Sequence, residues 1–199
     1  TIGRIVLGRR FAVLILTTKF IDDDKLEQDF SKYVEMCKDV NSLQSRVSQS
    51  KFNKDSLWDI CKENKDRARQ DCSKYKLSLE SNDHEYMIES AKRFLIDKKI
   101  ISKNQQIIKS GDGVYTPGCY MGWHTNRCTA GIRCYFNWAS ESDKSGLMYW
   151  YEGTKKIIRN SVDQYGWQLR MFSTDYPKPF WHSVWSNCTR LSIGFRILE

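Results

Sequence analysis

The sequence predicts an α+β protein, with helices in the first half and a β-sandwich or jelly roll in the second. Two observations carry that expectation. Composition shifts near residue 110, beyond which lie six of the seven tryptophans, nine of the eleven glycines and all three prolines. The spacing of apolar residues also changes there, from helical periodicity to strict alternation. The 199 residues suffice to bury a core without disulfide staples and fit one domain. Residues 1–98 form its mainly helical part and residues 99–199 its β core.

Taken in order, Phe11-Ala12-Val13-Leu14-Ile15-Leu16 follows Arg9-Arg10. The run is short and no small-residue cleavage site follows it, so it reads as a buried strand rather than a signal peptide. Asp22-Asp23-Asp24 caps a helix on which Leu26, Phe30, Val34 and Cys37 share a face. A second helix starts near Asn53 and turns Leu57, Trp58 and Cys61 inward. Its continuation from Lys62 to Asp71 is polar and reads as a solvated face. A third helix starts near Asn82 or Asp83, with Met87, Ala91, Phe94 and Leu95 as its apolar stripe. Lys98-Lys99 suits the negative end of that helix's dipole. His84, near its start, reads as a capping or surface residue rather than a ligand.

The second half alternates. Ile132, Cys134, Phe136 and Trp138 point to one side of a strand, and Arg133, Tyr135 and Asn137 to the other. Further strands run over 147–151, from Ile157-Ile158, over 167–172 and over 190–198. The tryptophans read first as barrel core and rim, with a stacking groove for a ligand as the sharper alternative. Because Tyr149, Trp150 and Tyr151 are consecutive, their rings must alternate in and out.

Charge and cysteine content set broad limits. Thirty-two basic and 24 acidic residues give a net charge of +8. That balance permits nucleic acid or another anionic partner without requiring one. Seven cysteines with no CxxC pair exclude the usual structural-zinc pattern. They indicate reduced thiols and an intracellular, reducing (cytoplasmic) setting. No run approaches the ~20 apolar residues of a membrane span.

The chemistry-bearing residues lie in two late segments, Gly122-Trp123-His124-Thr125-Asn126 and Phe180-Trp181-His182-Ser183-Val184. A mononuclear non-haem iron site uses two histidines and one carboxylate on one face of the metal, leaving the other face open. In an extended segment residues i and i+2 project to the same side. His124 and Asn126 could therefore grip one metal, completed by His182 from a distant strand. Arg190, in the strand after His182, can hold a carboxylate through a bidentate pair. Ser192 is on the same face and can add a hydroxyl donor. Arg196 is the weaker candidate for that role.

With its order of motifs, the chain resembles the iron- and 2-oxoglutarate-dependent dioxygenases, most closely their prolyl-hydroxylase-like branch. The resemblance covers roughly residues 112–198. It rests on Tyr115-Thr116-Pro117-Gly118, the two histidine segments, Arg133-Cys134-Tyr135-Phe136-Asn137, Ser145-Gly146-Leu147, Glu152-Gly153 and Thr189-Arg190-Leu191-Ser192. It implies that the β core is a double-stranded β-helix, a jelly roll of the cupin type, supported by the N-terminal helices. It implies Fe(II) held by His124, Asn126 and His182, and 2-oxoglutarate held by Arg190 and Ser192, with Tyr135 pointing into the barrel toward the same carboxylate. O2 would be the second co-substrate. The activity implied is C–H hydroxylation of a peptidyl residue, a small molecule or a nucleobase.

Asn126 departs from the family's His-x-Asp or His-x-Glu motif. An Asn carbonyl can coordinate a metal but carries no charge. Three arrangements stay open: a weak third ligand, a two-ligand site with an extra open position as in the halogenating members, or a fold that has lost the chemistry. The competing reading is thus a catalytically silent double-stranded β-helix, serving as a binding or structural module in a larger assembly.

Overall fold

Eleven strands and three helices are arranged in a computed structural model that describes residues 17–39, 44–47, 53, 56–63, 71–126, 131–152, 155–174 and 179–198. The apolar run 11–16 and residues 64–70 of the polar segment lie outside these described residues. In chain order the elements are β1 (Thr17–Phe20), α1 (Asp24–Lys38), β2 (Gln44–Val47), α2 (Leu57–Lys62), β3 (Cys72–Lys76), α3 (Ser81–Asp97) and β4 (Gln106–Tyr115). Then follow β5 (Tyr120–His124), β6 (Ile132–Ala139), β7 (Ser145–Tyr151), β8 (Arg159–Val162), β9 (Gly166–Ser173), β10 (Phe180–Ser186) and β11 (Arg190–Leu198).

The helices form where side-chain caps and apolar stripes coincide. Asp23 caps α1 by accepting from the Leu26 N–H at 3.0 Å. Leu26, Phe30, Val34 and Cys37 are all buried, as their spacing requires, and Tyr33 joins them. α3 begins with a capping box in which Glu80 and Asp83 exchange side-chain and backbone bonds. This places its start at Ser81, slightly before the expected Asn82 or Asp83. Met87, Ala91, Phe94 and Leu95 are buried, and His84 is exposed on the surface. α2 is shorter than its sequence pattern suggests. It begins at Leu57, buries Leu57 and Ile60, and leaves Trp58 and Cys61 half-buried.

All strand pairings are antiparallel, and the strand order is β1-β9-β6-β11-β4-β3-β5-β10-β7-β8, with β2 added on β3. The sheet curls into a jelly-roll barrel that is nearly closed. β3 bridges the two halves, meeting β4 through Tyr75–Val114 and β5 through Cys72–Met121. At the opposite seam, Thr18 of β1 comes within 3.3 Å of Ser161 of β8. Arg170 of β9 bonds the Ser161 and Val162 carbonyls at 2.8 and 3.2 Å. Those carbonyls belong to an edge strand that would otherwise need another partner. β1 begins directly after the apolar run 11–16 that reads as a strand, whereas β2 and β3 also come from residues 1–98 and are not expected from the sequence. All three are short, and β1 and β3 lack clean period-two alternation. Ile157 and Ile158 precede β8 rather than start it, and Ile157 is exposed.

The larger half of the sheet is two-faced. Cys134 and Phe136 of β6, Leu169 and Met171 of β9, and Leu191, Ile193, Phe195 and Ile197 of β11 face α1 and α3 in the main core. Phe136 touches the rings of Phe30, Phe94 and Phe195 at 5.5–5.8 Å. The alternate residues face the barrel interior. A second core packs α2 on the outside of the smaller half, where Trp58 meets Trp150 at 4.9 Å over Trp123 and Trp181. The aromatic richness is therefore mostly core. Tyr149 turns the other way, its ring packed on Phe180 at 5.6 Å in a cluster on the interior face. None of the six described cysteines forms a disulfide. No helix among the described residues is long and apolar enough to cross a membrane.

Phe136 is the junction between helices and sheet. Phe136→Ala is expected to cost ~3–5 kcal/mol in denaturant unfolding. A loss below ~1 kcal/mol would show that this contact is not central to the core.

Candidate active site

His124 and His182 stand directly opposite each other on β5 and β10. Opposed residues of an antiparallel pair project to the same face, and the two imidazole centroids lie 4.0 Å apart. The pairing slips between His182 and Val184, whose partners are His124 and Met121. β5 therefore carries one extra residue there, a bulge that re-aims the strand. Both His124 and Met121 line the same cavity as a result. Gly122 is required at the bulge. Its N–H donates to the Asp71 carbonyl at 2.7 Å, and a Cβ would collide with that residue.

Each histidine is oriented by a carbonyl two residues earlier. Nδ1 of His124 bonds Gly122 O at 2.8 Å, and Nδ1 of His182 bonds Phe180 O at 3.1 Å. A Nδ1–H held this way makes Nε2 the lone-pair nitrogen. Burial, and then the neighbouring His124, hold the pKa of His182 well below 6.5. His182 is accordingly the neutral imidazole that a metal needs.

Asn126 reaches the pair, but not by strand alternation. β5 ends at His124, and Asn126 adopts φ +56°. That left-handed conformation is unusual for most residues and comparatively accessible to Asn. It brings the amide Nδ2 to 3.1 Å from His182 Nε2 and 3.5 Å from the Tyr135 hydroxyl. The expected i, i+2 geometry is thus replaced by a turn with the same convergence. Among the described residues no group of three His, Cys, Asp or Glu side chains is placed to hold a metal. The convergent set here is two imidazoles and one neutral amide. With both Nδ1 atoms tied back, the Nε2 atoms are the nitrogens open to a cation, but the Asn126 amide here turns its donor Nδ2, not its Oδ1, toward His182 Nε2, so holding a cation requires that amide to flip.

These residues line a cavity of about 110 Å³, room for a small molecule or one side chain. Its far wall is polar. Arg190, 1% exposed, donates from Nε to Asp163 Oδ2 at 2.8 Å and from Nη2 to Asn137 Oδ1 at 2.7 Å. Ser192 donates to the same Asn137 oxygen at 2.9 Å. The Ser192 hydroxyl expected to serve a ligand is therefore already engaged. Tyr135 lies at the histidine end, beside Asn126 and over Gly194, where its ring leaves no room for a Cβ. Arg196 does not line the cavity.

The residue that sequence reasoning missed is Asp163. It is fully buried and accepts bonds from Ser145 at 2.5 Å and Gln168 at 2.9 Å, and it pairs with both Arg170 and Arg190. Burial alone would raise its pKa. The two guanidinium charges and the Ser145 bond outweigh burial and bring it to about 2. Nothing local in Ser161-Val162-Asp163-Gln164 marks it. Arg170 could have been found, because Trp167, Leu169 and Met171 face the core and so turn Gln168, Arg170 and Phe172 inward.

No family model matches this sequence, and no curated protein matches it. Solved structures do. A prolyl-4-hydroxylase from Pseudomonas putida aligns over 92% of this chain and 91% of its own at 11% identity, with a TM-score of 0.54. A prolyl hydroxylase from Trichoplax adhaerens, solved with a peptide fragment of the hypoxia inducible factor oxygen degradation domain, aligns over 92% and 83% at 12% identity and a TM-score of 0.54. A 2OG-Fe(II) oxygenase family protein from Burkholderia pseudomallei aligns over 92% and 85% at 7% identity and a TM-score of 0.57. The fold is therefore the jelly roll shared by these oxygenases.

Asp163 has a pH signature. Its folded pKa of about 2 lies below the ordinary 3.8. The stability it lends is complete above pH ~4 and is lost as pH falls toward 2, an amount of roughly 2 kcal/mol. Urea unfolding between pH 5 and pH 2.5 should show that slope, and Asp163→Asn should flatten it.

Proposed function

We propose that this protein is a non-haem Fe(II)- and 2-oxoglutarate-dependent oxygenase that hydroxylates a C–H bond. The observation that carries the reading is the convergence of His124, His182 and Asn126 at one end of a cavity whose other end presents buried Arg190. His124 and His182 would hold the metal through Nε2, with Asn126 as a neutral third donor. When bound, iron with 2-oxoglutarate and O2 supplies the oxidising equivalents for hydroxylation, releasing succinate and carbon dioxide. Arg190 would bind the distal carboxylate of the co-substrate through Nη1, which is buried and has no hydrogen-bond partner. Asn137 and Asp163 hold the rest of the guanidinium still. Phe172, packed on the His182 ring at 4.9 Å, and Phe180 exclude water from the histidine end. The substrate favoured is a peptidyl residue, by analogy with the prolyl hydroxylases whose fold the chain shares.

A second reading rests on Asn126. A neutral amide beside His182 binds iron(II) more weakly than a carboxylate, which suits a silent scaffold acting within a larger assembly. Anaerobic titration with Fe(II) and 2-oxoglutarate separates the two. The oxygenase should develop a weak visible charge-transfer band and, once aerated, form succinate. If neither appears at millimolar ligand, the scaffold reading stands.

Asn126→Asp adds the missing charge to the donor set. It is expected to tighten Fe(II) binding by about tenfold or more, read by chelator competition. His182→Ala should abolish that binding. Unchanged affinity in Asn126→Asp would mean that residue 126 is not a ligand.

A further inference from the structure

Arg170 has no part in the contacts proposed above, yet it lines the same cavity and is 1% exposed. All its nitrogens are engaged. Nε and Nη2 each bond Ser161 Oγ at 3.2 Å, Nη2 also bonds the Ser161 and Val162 carbonyls, and Nη1 bonds Asp163 Oδ1. Arg190 bonds the other oxygen of the same carboxylate. One buried negative charge thus serves two buried positive charges. The other charged side chains lining the cavity are Asp112, which is paired with Lys109, and Lys74, which bonds the Asp112 carbonyl at 3.2 Å. A single Asp–Arg pair would be neutral, and its carboxylate would repel an approaching anion at short range. The orphaned, buried Nη1 of Arg190 is the donor that an anion would complete.

We propose that Arg170 determines the affinity and specificity of this pocket for a carboxylate without touching it. By taking up one oxygen of Asp163, it leaves Arg190 with one uncompensated charge and one donor. The pocket then suits a single carboxylate at the end of a small ligand. The inference leans on the co-substrate reading only for the name of that ligand, the distal carboxylate of 2-oxoglutarate.

The test is calorimetric titration of the full chain, with Mn(II) present to prevent turnover, using 2-oxoglutarate, glutarate and 2-oxopentanoate. The last of these lacks the distal carboxylate. Arg170→Gln is expected to weaken both dicarboxylates by about tenfold or more while 2-oxopentanoate changes by less than about threefold. Arg170→Lys, which keeps the charge, should recover most of the loss. The double variant Asp163→Asn/Arg170→Gln removes one charge of each sign and should hold glutarate within about threefold of wild type. It also answers the question if Arg170→Gln alone fails to fold. Equal weakening of all three ligands, unchanged 2-oxoglutarate affinity in Arg170→Gln, or a wild type that binds neither dicarboxylate overturns the proposal. If glutarate binds with this dependence on Arg170 and the 2-oxo group adds nothing, the co-substrate reading fails and the role of Arg170 stands.

Discussion

Asp163 is the point on which the barrel closes. Its one carboxylate joins β7 through Ser145, β9 through Arg170 and Gln168, and β11 through Arg190. Through Arg190 it also reaches Asn137 on β6. A carboxylate taken this far from water is costly unless its oxygens are fully bonded. Here the bonds come from three strands, so satisfying the charge and assembling this part of the barrel are the same event. A buried ion pair of this kind adds less to stability than its bonds suggest, because desolvation opposes it. What it adds is position: both oxygens of Asp163 are bonded only where β7, β9 and β11 meet beside it.

The larger half of the sheet divides its labour by pleat. Along β6, Cys134 and Phe136 pack on α1 and α3, and Tyr135 and Asn137 face the cavity. The same holds along β9 and β11, shifted as antiparallel register requires. The polar interior is tolerable because its groups bond one another, and because the helical face carries the hydrophobic burial. A site built on rigid strands in this way keeps its side chains in place better than one built on loops.

At the histidine end, backbone devices do the positioning. The bulge at Gly122 and the left-handed turn at Asn126 both depart from regular strand geometry. Each redirects a side chain toward the same spot. The two Nδ1-to-carbonyl bonds then set the tautomers. The two imidazoles are therefore oriented toward one spot before any ligand arrives.

By itself the sequence determined the local structure. Helical stripes such as Leu26 to Cys37 and the alternation through Arg133 to Asn137 were legible, since each depends on short-range backbone periodicity; the two histidine segments were legible only as motifs. The jelly-roll class followed from composition and motif order, and the solved neighbours share it. Only the tertiary structure decided that β1 to β3 extend the sheet and that Asn126 arrives by a turn. It alone decided that Ser192 spends its hydroxyl on Asn137, and that the partner of Arg190 is Asp163. The physical reason is common to all of these. Which strand edge lies beside which, and which buried charge meets which, depends on contacts between residues far apart in the chain, and no local period records them.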